Sequence, residues 1–198
     1  IKNMLQFGMP VVVSVNRFAS DTDAELEALT KCARNSGASS VCLTEVHAKG
    51  GAGGKELAKA VVSACQDHIA AGRPFTPLFN NDTPIEEKAL RVATRIYGAD
   101  GINILAKAGR QLEQLKSWGY GELPVCMAKT QYSFSHDPNL LGAPSNFEIP
   151  IREFRLNSGA GFVVAVLGEI MTMPGLPKRP AASDMDMDED GNLLGVFG

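Results

Sequence analysis

A chain of 198 residues with 44% hydrophobic and 21% charged residues is long enough for one large or two small domains and has the makeup of an ordinary globular protein. Its formal charge of -3 offers no basic field to draw in nucleic acid or an anionic membrane surface. No apolar run nears the roughly 20 residues that span a bilayer; the longest, Phe162 to Leu167, is the size of a strand.

From the start, Pro10 to Val15 reads as a buried strand with β-branched residues on both faces. A polar turn, Asn16 to Asp21, leads to a helix that Asp21 or Thr22 can cap. Its early carboxylates, Asp23, Glu25 and Glu27, complement the positive helix end, and Leu26, Leu29 and Ala33 form its apolar stripe up to Gly37. Ser40 to Leu43 is a second strand, followed by a loop over Thr44 to Gly54. A helix then runs from Lys55 to about His68 with Leu57, Val61, Ala64 and Cys65 on one face. Strand–helix–strand–helix order predicts half of a parallel α/β sheet.

Gly72 to Pro77 breaks the pattern and marks the expected domain boundary, between a half-sheet over 1–73 and a small α+β carboxyl-terminal domain over 74–198. In the second part, helices are expected over Pro84 to Tyr97, with Ile85, Ala89, Val92 and Ile96 inward, and over Gly109 to Trp118. Strands are expected over Gly101 to Ala106, Leu123 to Ala128 and Phe162 to Leu167. Between the last two lie a long polar loop, Lys129 to Asn146, and a partly alternating stretch, Glu148 to Leu156. There Arg152 and Arg155 read as ion-pair partners of Glu148 or Glu153. The tail is proline-rich from Pro174 to Pro180 and acidic from Ser183 to Gly191, with Met171, Met173 and Leu176 as packing residues.

The four cysteines, Cys32, Cys42, Cys65 and Cys126, show no paired spacing and read as buried small hydrophobes, reduced in a cytoplasmic protein. His47, His68 and His136 fall in separate segments, so no metal set is predicted. His68 ends a helix, where a structural role fits. His47 adjoins the glycine loop at a strand's carboxyl end, where a flat ring could stack on a ligand. Acid–base work there lacks a visible partner.

The loop Gly50 to Lys55 has glycines before a lysine at a helix start, as phosphate loops do. Lys49 stands where the first glycine should be, and Glu56 where a magnesium-ligating Ser or Thr belongs. A loop needing positive φ is the plainer reading. The Lys129 to Ser133 run after a strand is either a ligand loop or a solvated turn. Asp184, Asp186, Asp188 and Asp190 lack the glycine and terminal glutamate of a calcium loop.

Three strings are specific beyond such general rules: CMAKTQYSFS at 126–135, GAGF at 159–162 and MTMPGLP at 171–177. With Asn16-Arg-Phe18, Asp21-Thr22, the Ala48 to Gly51 loop, Ile96 to Asp100 and Gly142-x-Pro144, they resemble formate–tetrahydrofolate ligases along nearly the whole chain. The resemblance implies an enzyme of one-carbon metabolism that makes 10-formyltetrahydrofolate from formate, tetrahydrofolate and ATP. It implies a homo-oligomer when complete, with ATP and Mg2+ bound mainly by an amino-terminal domain this stretch does not match, and no cofactor within the stretch itself. It assigns no catalytic residue here. It places the pterin against Phe18 and Ala19 of one loop and Leu43 and His47 of the next. His47 stands where the family often has tryptophan, and Ala19 where it often has proline. The alternative is a non-catalytic module for folate binding or oligomerisation.

Overall fold

The computed structural model describes residues 1–168 and 179–195, and the chain forms two units, 1–168 and 169–198. A short helix, α1 (Lys2–Leu5), precedes β1 (Val12–Asn16). Helix α2 (Asp23–Asn35) then crosses to β2 (Ser40–Thr44), which lies parallel to β1 from Val12 opposite Ser40 to Asn16 opposite Thr44. Of the two candidate caps, the helix uses Thr22, in a capping box with Glu25 that satisfies orphan amides at both positions. Gly37, at φ 101°, ends α2: its N–H donates to Arg34 O and that of Ala38 to Ala33 O, the two bonds of a Schellman motif.

The expected loop after β2 is largely helical. It forms α3 (Val46–Lys49) and a 3-10 turn over Gly50–Gly54 before α4 (Lys55–Ala70). The buried-strand reading of 10–15 also needs correcting, because Val12, Val13 and Val15 are only half-buried in a pair of strands without further neighbours among the described residues. Leu29, Val61 and Cys65 are exposed; on α4 the expected Leu57 and Ala64 are half-buried, and Ala60 and His68 join them in place of Val61 and Cys65. The cysteine expectation fails for the same reason: Cys32, Cys65 and Cys126 lie on faces that no described element covers, and Cys42 is half-buried.

The rest of the first unit holds α5 (Ile85–Arg95), β3 (Gly101–Ile104), α6 (Ala106–Ser117), β4 (Val125–Ala128), β5 (Glu148–Ile151), β6 (Glu153–Asn157) and β7 (Phe162–Val166). Strands β3 and β5 pair in parallel. The other three strands form a sheet in the order β4-β7-β6, parallel on one side of β7 and antiparallel on the other. Helix α6 starts three residues before Gly109, since Leu105 turns the chain in and its carbonyl takes the Gly109 N–H. The expected single stretch 148–156 divides at Arg152 between two sheets.

The apolar core lies here, around Ile85, Ala89, Leu112, Ile149, Phe154 and Val163. Lys88 is also buried. Its ammonium donates to Asn81 O at 2.7 Å and Glu122 O at 2.6 Å, tying two loops across α5, and burial holds its pKa below the usual lysine value. Residues 1–73 meet this part where Phe7 stacks on Phe75 and the Thr76 N–H donates to Phe7 O at 3.0 Å.

In the second unit, a 3-10 turn (Ala181–Asp184) precedes the small hairpin β8 (Asp186–Met187) and β9 (Leu193–Leu194). Asp188 accepts from the N–H groups of Asp190 and Asn192 and from the Asn192 amide, so this acidic stretch is a turn held by its own carboxylate. Met171, Met173 and Leu176 lie outside the described residues.

Candidate functional site

Parallel strands deliver their carboxyl ends, and the loops that follow them, to one edge of the sheet. Here the edge is fastened by a pair of hydroxyls. Buried Thr44 sets its Oγ1 2.8 Å from Ser14 Oγ and donates to Val15 O at 3.3 Å. Its carbonyl accepts the Arg17 N–H at 2.9 Å, which carries the ladder one step past β1. The four sequence-predicted residues therefore lie at or just beyond two adjacent, locked strand ends: Phe18 and Ala19 after β1, Leu43 in β2 and His47 in α3.

On the first loop, the Phe18 N–H donates to Asp21 Oδ2 at 2.7 Å and the Asp21 N–H donates back to Phe18 O at 3.1 Å. Phe18 is 62% exposed and stands outside the buried core cluster. Ala19 beside it is exposed. Leu43, one residue before Thr44, is 44% exposed and lies opposite Val15 in the register, which gives the sheet edge an apolar spot facing solvent.

His47 is exposed on α3, a single turn whose start is fixed from two sides. The Glu45 N–H donates to Gly53 O at 3.2 Å, and Glu45 O takes the N–H groups of Ala48 and Lys49. Lys49 Nζ lies 2.5 Å from Glu45 Oε2, and this bond, helped by the charge of Arg17, holds the Glu45 carboxyl below the usual range. The glycine loop is thus folded back onto Glu45. Gly50 alone in it has a positive φ, 54°. Gly53 is needed for a different reason: a Cβ there would lie 2.5 Å from Glu45 O.

Sequence reasoning missed how the Lys129 loop is held. Lys129 Nζ donates to Thr130 O and Ser133 O and sits 5.1 Å from the Tyr97 ring centre and 5.9 Å from that of Phe134. Burial lowers its pKa. Ser133 and Ser135 are buried and share a 2.9 Å hydroxyl bond beneath it. A cavity of about 440 Å³ opens beside these residues, flanked by Tyr132 and Gly142. Because both carbonyls belong to its own loop, Lys129 works as the staple of that loop.

Of the other histidines, His68 lies half-buried in the last turn of α4, and His136 has a buried Nδ1 without a hydrogen-bond partner among the described residues. Among the described residues no group of three or more His, Cys, Asp and Glu side chains could hold a metal. None of the described helices is long and apolar enough to cross a membrane.

Comparison with known proteins gives these loops a context. A family model described as formate–tetrahydrofolate ligase matches residues 1–197. The formate–tetrahydrofolate ligase of Paracoccus denitrificans (strain Pd 1222) is 48% identical over 197 residues, covering 100% of this chain and 35% of that protein. That of Symbiobacterium thermophilum is 49% identical over 191 residues, covering 96% of this chain and 34% of the relative. That of Staphylococcus aureus (strain JH9) is 48% identical over 197 residues, with 100% and 35% covered. The chain spans about 35% of the length of these relatives. Matched from end to end by one enzyme family, the chain belongs to the formate–tetrahydrofolate ligases.

Proposed function

We propose that this chain supplies the tetrahydrofolate-binding wall of a ligase that makes 10-formyltetrahydrofolate from formate, tetrahydrofolate and ATP. The observation that carries the reading is an exposed Phe18 on the loop after β1 and an exposed apolar Leu43 at the end of β2, two strands locked together by Ser14 and Thr44. A pterin is flat and largely apolar on its faces, so it gains most from a ring and aliphatic contacts on either side, with polar groups confined to its rim. In this reading Phe18 and Ala19 form one wall, and Leu43 and His47 the other. Residues 1–73 then act as the folate-side half-sheet and 74–198 as a small α+β domain.

ATP and Mg2+ are bound mainly by the portion of the ligase that lies beyond this stretch. The glycine loop supports that division. Its Gly53 carbonyl takes the Glu45 N–H, and the second residue of the next helix is Glu56 instead of a magnesium-ligating Ser or Thr. By the same family likeness the complete enzyme works as a cytoplasmic homo-oligomer.

The test is a titration of the complete ligase carrying this segment with tetrahydrofolate, comparing the parent with Phe18→Ala. A raised folate KM with ATP KM unchanged supports the reading. Equal folate KM values for both proteins overturn it.

A further inference from the structure

Asp21 and Thr22 compete on sequence grounds for the cap of α2, and the helix takes Thr22. The Asp21 carboxylate is left for another task. Its Oδ2 accepts the Phe18 N–H at 2.7 Å while its own N–H donates to Phe18 O at 3.1 Å. One residue thus grips both backbone polar groups of Phe18. Little packing among the described residues holds this side chain, since Phe18 is 62% exposed and its neighbours Ala19 and Ser20 are small and exposed. The backbone sets the direction in which the side chain leaves the loop, and Asp21 holds that backbone with two hydrogen bonds. A backbone held ready in this way spares the ligand the cost of ordering a loose loop when it binds.

We propose that Asp21 is a positioning residue of the folate site, fixing the Phe18 backbone so that the ring is presented to the pterin. This rests on the assignment of Phe18 as a folate wall. Capping of α2 does not depend on Asp21, because the Thr22–Glu25 box remains when the carboxylate is removed.

Two variants separate the roles. Asp21→Ala removes the acceptor, whereas Asp21→Asn keeps a carbonyl oxygen that can take the same N–H. Amide exchange at Phe18 is measured on this chain. Folate and ATP kinetics are measured on the complete ligase that carries it, with Phe18→Ala run alongside. Asp21→Ala is expected to speed Phe18 exchange and raise the folate KM roughly 3- to 10-fold, the scale of one modest hydrogen bond. The kcat and the ATP KM should stay near the parent values, and Asp21→Asn should restore both readouts.

Unchanged Phe18 exchange in Asp21→Ala overturns the clasp itself. Faster exchange with a parental folate KM overturns the positioning role, provided Phe18→Ala does raise that KM. If Phe18→Ala leaves the KM unmoved as well, it is the folate assignment of Phe18 that fails, and the positioning role falls with it. A folate KM that stays high in Asp21→Asn despite restored exchange also overturns the proposal, because the charge and not the clasp would then matter.

Discussion

Phe18 and His47 sit just past strand ends, places that the sequence alone could assign only by combining two kinds of information. The strand ends came from β-branched runs, and the roles came from likeness to a family. Removing the ring in Phe18→Ala is expected to weaken tetrahydrofolate by about 1–3 kcal/mol in the complete ligase, the usual loss for an aromatic contact of this kind. His47→Trp should hold or improve folate affinity if the imidazole serves as a flat wall. Steady-state kinetics decide, since lost turnover at saturating folate would mark His47 as a proton carrier instead. Gly53 teaches a different lesson. A run of glycines is easily read as a need for positive φ, yet the need at Gly53 is for room beside Glu45 O. Gly53→Ala should therefore destabilise the chain by about 1–3 kcal/mol, as overpacking commonly does, and disturb the turn bearing His47. Thermal denaturation checks this, and a melting temperature equal to the parent's would count against the contact. No sequence rule signals that contact, because it joins residues eight apart through backbone atoms.

At the scale of elements, capping and stop signals were well legible. Thr22 with Glu25 begins α2, and Gly37 ends it where a left-handed residue is required. Faces were harder to read. Val61 and Cys65 have the right spacing for an inward stripe, but α4 is apolar on more than one side, and spacing cannot say which side meets the sheet. Between elements, Glu153 of β6 joins α6 to the sheet. It takes Lys107 Nζ at 2.6 Å and Arg155 Nε at 3.0 Å, and these bonds, that of Lys107 foremost, hold its pKa below the ordinary 4.5. A carboxylate depressed in the folded state stabilises the fold above its unfolded pKa and loses that contribution as pH falls through the folded value. Urea denaturation between pH 6 and pH 3 should thus show stability falling with acid, and Glu153→Gln should make the fall shallower. An identical pH profile for the two proteins would show that the pair contributes nothing.

For the molecule as a whole, the uneven placement of the core matters most. The buried apolar cluster runs from Ile85 to Leu167, while residues 1–73 bury little besides Leu26, Ala33 and Thr44. Composition could not reveal this, because hydrophobic residues are spread along the entire sequence and burial depends on which faces find partners. The same division bears on nucleotide binding. With its glycine loop closed on Glu45, this chain by itself should not bind ATP tightly. Calorimetry with magnesium present is the check, and low-micromolar affinity would contradict the argument.

The junction at Arg152 has a consequence of its own. Ile149 and Ile151 are buried on β5, and the next buried residue, Phe154 on β6, follows after two residues instead of one, so the alternation slips by one position there. The sequence reading of 148–156 as one partly alternating stretch missed the slip. Position 152 therefore acts as a reading-frame mark for side chains. Substituting it leaves the frame intact, but inserting or deleting one residue would rotate Phe154 into water and draw Glu153 or Arg155 toward the core. Length at this point is therefore under close control, because one residue more or less changes which face of β6 meets the core.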